Sequence, residues 1–271
     1  MKKNSKKGKK WSIKFVLVFL LLFITLIVSV VFLFKIYMPV YHIKSRVDNI
    51  KNYINENEEI KAKAWLRVQG TNIDYPVIDN NSFLNTNSIK GDFTWTQGLI
   101  SRLPNKAFIL GHNIRNISSQ PLITNKEHSK FEQLLSFVYY DFVKENKYIQ
   151  YTIGGKDYLY KVFSVSFVED ETLDYISTDY DDEKMDKYIK QSLSDSYFDF
   201  DIEVDQNDNI ISLITCTRFY GATTKYMFKV DARMVRDDEK ITNYKVRKKK
   251  KYNDIEKILR GENDEQEEQN I

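Results

Sequence analysis

From Phe15 to Phe34 the chain is a run of Leu, Ile, Val and Phe interrupted only by Thr25 and Ser29. As a helix, a run of that length spans the roughly 30 Å hydrocarbon layer of a bilayer. Beyond it the pattern is mixed. Tyr41 to Ala64 is polar with apolar residues at Ile43, Val47, Ile50 and Ile54, a spacing that predicts a helix. Trp65–Val68 and Thr71–Ile78 predict two strands around a turn at Gly70, and Ala107–Leu110 predicts a third. Phe131–Leu135 opens a short helical segment, and Tyr148–Ile153 and Tyr158–Val168 flank Gly154-Gly155 as a hairpin. Between Asp181 and Tyr197 the period becomes helical, with Met185, Tyr188, Ile189 and Leu193 on one face behind an acidic first turn. Ile210–Cys216 and Lys225–Val235 read as the last two strands. Strands outnumber helices, so the body is mainly β.

Composition changes the picture in two ways. At 42% hydrophobic residues the 271-residue chain can bury one good core once the membrane run is set aside. The net charge of +3 is concentrated: seven lysines precede the apolar run and six basic residues lie in Lys245–Lys251, which leaves the body mildly acidic. There is no basic stripe of the kind nucleic acid requires. The N-terminal lysines place that end in the cytoplasm and the body outside. A cleaved signal peptide is the competing reading, but Lys35-Ile36-Tyr37-Met38-Pro39 offers no small-residue cleavage site, which favours an uncleaved anchor.

The candidate chemistry lies where strands stop. Cys216, the only cysteine, ends the run from Ile210, and a side chain delivered at a strand end is displayed rather than packed. Of three histidines, His42 follows the membrane run and His128 sits in a polar stretch, whereas His112 follows the strand Ala107–Leu110 and Gly111. Two strands that end in a thiol and an imidazole suggest a Cys–His pair at one sheet edge. Thr215 and Asn113, which flank the pair, are candidate substrate-binding residues. Three scattered histidines and one cysteine have no ligand spacing, so no metal or other cofactor is expected.

The membrane run, the strand ending Gly111-His112-Asn113 and the strand Ser212-Leu213-Ile214-Thr215-Cys216 together resemble a sortase. Trp65-Leu66, Thr71–Val77, the strand Lys156–Phe163 and the helix before the last strands are similar to class B, over residues 41 to 235. The resemblance implies a sortase-type β-barrel with a few peripheral helices, preceded by one transmembrane helix. It implies a cysteine transpeptidase on the outer face of a Gram-positive cell membrane. Cys216 would attack a threonine carbonyl in the C-terminal sorting signal of a secreted protein and hold it as a thioester. His112 would protonate the leaving amine, and a peptidoglycan-precursor or pilin amine would resolve the thioester. A cysteine peptidase that gives the acyl group to water, a pilin-polymerising sortase and a non-catalytic wall-binding module are the alternatives. Expected boundaries are a cytoplasmic basic segment 1–14, a transmembrane anchor 15–38, a helical stalk 39–64, a catalytic domain 65–236 and a charged, disordered tail 237–271.

The family also carries an arginine that steadies the oxyanion, near the start of the strand after the cysteine. Aligning the end of that strand puts Met227 there, and a thioether cannot stabilise negative charge. Arg218, in the loop after the nucleophile, is the first substitute; Lys225 is the second and Arg233 the third.

Overall fold

In chain order the elements of the computed structural model are α1 (Ile13–Tyr37), α2 (Val47–Glu56), β1 (Ala62–Val68), β2 (Asp74–Asp79), β3 (Thr94–Gly98), β4 (Lys106–Leu110), a 3₁₀ helix (Glu132–Val138), α3 (Tyr140–Glu145), β5 (Tyr148–Ile153), β6 (Lys156–Glu169), a 3₁₀ turn (Asp170–Thr172), β7 (Ile176–Ser177), α4 (Asp182–Asp195), β8 (Phe198–Phe200), β9 (Ile210–Cys216), β10 (Tyr226–Met234), β11 (Val246–Lys248) and α5 (Tyr252–Leu259). Residues 13–37, 40–56, 62–79, 94–98, 102–113, 121, 131–173, 175–221 and 225–262 are described. The basic segment before Ile13, His128 and the acidic end beyond Glu262 lie outside them.

Helix α1 carries the apolar run, and none of Ile13–Phe34 is buried. Among the described residues it is the one helix long and apolar enough to cross a membrane.

Nine strands form one curled sheet in the order β2-β1-β5-β6-β10-β9-β4-β3-β7, β2 also pairs with β3, which brings the two sides together as a barrel, and β8 and β11 form a separate two-stranded sheet. The β5–β6 hairpin turns on Gly154 and Gly155 at φ 60° and 75°, the backbone that a two-residue loop needs to match strand twist. Antiparallel pairs dominate, but β4 and β9 run parallel. That explains why β9 is apolar without alternation, because both of its faces are covered. Ile210 and Ile214 pack with Phe108 and Leu110 under Met185 and Ile189 of α4, while Ile211 and Leu213 face the interior. Helix α4 starts where Asp181 accepts a hydrogen bond from the Lys184 amide at 2.8 Å, with Asp182 and Glu183 in its first turn.

Two expectations are corrected. Among the described residues the stalk helix spans Val47–Glu56, preceded by the non-helical residues 40–46, and lies against β1, with Tyr53 edge-on to Trp65 at 6.2 Å. Ahead of it the chain is docked by Arg46, which is buried and paired with Asp74 at 2.5 Å. Residues 237–262 are not a disordered tail: β11 pairs with β8, and Tyr244, Val246, Tyr252 and Ile255 are buried. The Tyr252 hydroxyl donates to Val138 O at 2.9 Å, which ties α5 to the end of the 3₁₀ helix. Replacing Tyr252 by Ala should therefore cost about 3–5 kcal/mol, as for a buried aromatic, measured by denaturant unfolding of the full chain. A disordered tail would give no change.

Candidate active site

The geometry starts from the parallel β4–β9 ladder, in which Leu110 is in register with Ile214. The Gly111 amide continues it by donating to Ile214 O at 3.1 Å. Two residues further along each strand stand His112 and Cys216, so the register sets the two residues at the same end of the pair, on the face that α4 covers lower down. Side chains staple these ends together. Thr215 Oγ1 donates to Gly111 O at 2.7 Å, and Asn113 Nδ2 donates to Cys216 O at 3.1 Å. Both side chains are buried, so the two candidate substrate contacts already serve as bonds between the strands. Gly111 has a packing reason to be glycine: a Cβ there would come within 2.3 Å of the Phe131 ring.

Cys216 is exposed at the end of β9, while His112 is half-buried. Partial burial pushes the thiol above its ordinary pKa, and the Asp170 carboxylate pushes it in the same direction. Asp170 also accepts a hydrogen bond from Tyr175, whose hydroxyl is raised by burial, by Asp170 and by the nearby Cys216. Sequence reasoning missed Asp170 and Tyr175. Their only signal was the acidic triplet Glu169-Asp170-Glu171 at the end of a long strand, and nothing local relates that strand to Cys216. A cavity of about 610 Å³ adjoins this corner, lined by Phe167, Glu169, Leu173, Gln191, Tyr226 and Lys229.

Across the β9–β10 pair Cys216 faces Met227, the position where the sequence departs from its resemblance. The three candidate cations lie in different surroundings. Arg218 is exposed in the loop and has no side-chain partner among the described residues. Lys225 is at the right end of β10 but pairs with Glu169 at 2.8 Å. Arg233 lies opposite Ile210, six residues down the strand and so about 20 Å away, and Glu239 holds its buried guanidinium at 2.5 Å.

Beneath the pair, on the same sheet face, is a buried polar cluster. Lys106 Nζ donates to Ser212 Oγ at 2.6 Å, Ser212 donates to Asp231, and Lys229 pairs with Asp231 at 3.0 Å. Tyr188 of α4 donates to Asp231 at 2.7 Å. Burial alone would raise the Asp231 carboxyl, but Lys229, Lys106 and the two hydroxyls outweigh it and hold it below the usual carboxylate range. The cluster locks β4, β9, β10 and α4 together. Among the described residues no group of three His, Cys, Asp or Glu could hold a metal.

The thiol's environment gives a signed prediction. Asp170→Asn removes a negative charge that opposes the thiolate, so it should lower the Cys216 pKa and speed alkylation by iodoacetamide at pH 7. A pH profile of alkylation identical to that of the unmodified chain would show that Asp170 does not act on the thiol.

The Sortase domain family model matches residues 66–235. Sortase B of Staphylococcus aureus (strain NCTC 8325 / PS 47) is 23% identical over 197 residues, 68% of this chain and 72% of that protein. Sortase B of Listeria monocytogenes serovar 1/2a (strain ATCC BAA-679 / EGD-e) is 26% identical over 170 residues, 56% of this chain and 61% of that protein. Among solved structures, sortase B of Clostridium perfringens is similar with a TM-score of 0.55 at 27% identity, over 69% of this chain and 99% of that one. A Staphylococcus aureus sortase B–substrate complex shares the fold, with a TM-score of 0.53 at 17% identity over 71% and 94% of the two chains.

Proposed function

The chain belongs to the sortase family, in its class B branch, and on that premise we propose that it is a membrane-anchored transpeptidase with Cys216 as nucleophile and His112 as its acid–base partner. The observation that supports this reading is the pair of parallel strand ends, joined by the Thr215–Gly111 and Asn113–Cys216 bonds, which carry the single cysteine and the best-placed histidine at one end of the sheet. Thr215 and Asn113 then act by positioning the pair. The adjoining cavity gives room for side chains of a bound peptide.

A raised thiol pKa means that the resting nucleophile is protonated, so the thiolate must form as attack begins. Cys216 passes its proton to His112 while sulfur attacks the threonine carbonyl of a sorting signal. The tetrahedral intermediate collapses, the C–N bond breaks, and His112 delivers the same proton to the leaving amine. A thioester remains. A cell-wall amine then attacks it, loses a proton to His112 and restores the thiol as the C–S bond breaks. With Met227 opposite the nucleophile, the developing oxyanion draws its positive charge from the loop, where Arg218 is exposed and unpaired among the described residues.

Cys216→Ala and His112→Ala should each abolish cleavage of sorting-signal peptides without altering thermal stability. Arg218→Ala should cost about 10²–10³ in turnover, the usual effect of losing one preorganised donor, and Arg218→Lys should recover part of it. Substantial turnover in the Cys216 or His112 variant overturns the pair. Normal turnover in Arg218→Ala with loss in Lys225→Ala moves the cation to Lys225. Product analysis with and without an added amine separates transfer from hydrolysis.

The same reading places residues 1–14 in the cytoplasm and the domain from Tyr41 onward outside, with α1 as an uncleaved anchor. Protease added to intact cells should degrade the domain and spare the N-terminus. A chain beginning at Tyr41 should be soluble and active. Recovery of a natural form cleaved near Pro39 would replace the anchor with a signal peptide.

A further inference from the structure

The described chain continues past the family match, which ends at residue 235, into a folded C-terminal extension. Its basic run is spent largely on β8, on its own helix α5 and on the end of α4. Arg247 pairs with Asp199 at 3.0 Å, and Lys248 pairs with Glu256. Lys249 Nζ donates to Leu193 O and Lys251 Nζ to Ser194 O, each at 2.5 Å. These are terminal carbonyls of α4, whose last turn has no basic residue of its own, so the extension supplies the charge that a helix C-terminus favours. The Lys249 amide also donates to Tyr197 O at 2.9 Å, and the Lys251 ammonium lies 5.4 Å from the Tyr197 ring centroid.

Tyr197 in turn reaches the nucleophile loop. Its hydroxyl is 2.9 Å from that of Tyr220, four residues after Cys216. The Tyr220 ring packs edge-on to Phe167 and Phe219 at 5.1 and 5.3 Å, and Phe219 stacks on Phe167 at 4.6 Å. The Gly221 amide closes a turn onto Arg218 O at 2.9 Å, so Tyr220 lies inside the turn that begins at Arg218. Tyr220 is itself 39% exposed, and its hydroxyl contributes little to the core.

We propose that residues 243–260 brace the nucleophile loop from behind, and that Tyr220 is the positioning residue through which Tyr197 and the extension fix Arg218 beside the reacting carbonyl. The proposal rests on the assignment of Cys216 and Arg218 above. It adds a role for a segment that lies outside the family match, and it makes the hydrogen bond between the two phenols the link.

The test uses the full-length chain in detergent micelles and two readouts. The first is the rate of tryptic cutting after Arg218, which reports loop opening whatever the chemistry. The second is kcat for the sorting-signal peptide that the unmodified chain cleaves fastest in a panel. Tyr220→Phe and Tyr197→Phe each keep the ring and remove one phenol. Each should speed cutting about two- to tenfold and lower kcat by a similar factor with KM little changed, the range expected for one neutral hydrogen bond. The double variant should be no worse than either single, and Lys249→Met with Lys251→Met should act in the same direction. In an Arg218→Ala background Tyr220→Phe should cost no further kcat. Unchanged cutting in the phenol variants, additive losses in their double, or a further loss in the Arg218→Ala background would overturn the brace. Turnover retained by Cys216→Ala would instead overturn the active-site assignment, and the tryptic rates would still decide the brace on their own.

Discussion

The parallel pairing of β4 with β9 is the constraint on which the site depends. His112 and Cys216 are about a hundred residues apart in sequence, and only strands that run the same way deliver both side chains to the same sheet edge. Parallel neighbours need a long crossover, and the chain between them supplies β5, β6 and α4. The pairing is enforced from below. Lys106 on β4 binds Ser212 on β9, Ser212 binds Asp231 on β10, and Tyr188 closes the group from α4. A slip of one residue would both turn His112 to the other face and leave a buried carboxylate without its partners, so register and charge satisfaction fail together.

The same construction explains the electrostatics around Cys216. Met227 gives Cys216 an apolar neighbour across the strand pair, and Asp170 adds negative charge from the end of β6. Burial and the Asp170 charge both push the thiol pKa up. A thiol of this kind is protected from adventitious oxidation, and it becomes nucleophilic when a base takes its proton. In the proposed mechanism, catalysis then rests on the precision with which His112 is held and on a cation brought by the loop. Neither could be supplied by a strand face already occupied by Met227.

The elements legible in the sequence were those whose pattern is imposed locally. Gly154-Gly155 between alternating strands announced the hairpin, the three- and four-residue spacing from Met185 to Leu193 announced α4, and the unbroken apolar run gave α1. The thiol and imidazole at strand ends were also visible, because each follows a short apolar run. What stayed hidden depends on tertiary partners. β7 is two residues long and β8 three, and both exist through strands distant in sequence. Asp170 becomes part of the site only because β6 and β10 pair as far as Glu169 and Tyr226. The C-terminal segment misled for a different reason. Its lysines read as a solvated charge run, yet Tyr244, Val246, Tyr252 and Ile255 recur among them at strand and helix spacing, and lysine stems can cover such residues while their ammoniums reach carbonyls.

The substitution at Met227 and the folded extension bear on one physical problem. A cation fixed on a central strand inherits the rigidity of the ladder, since its backbone is bonded on both sides. A cation moved to the loop after Cys216 loses that support, and a mobile guanidinium would have to be ordered in every turnover at an entropic cost. The loop here is packed from beneath by Phe167, Phe219 and Tyr226 and bonded from the side by Tyr197. Tyr197 is held by a segment that has folded against the end of α4. With Arg218 as the proposed cation, aromatic packing and one pair of phenols would supply the rigidity that a strand gives, so the residues behind the loop, and not only those facing the substrate, should determine how well the oxyanion is met.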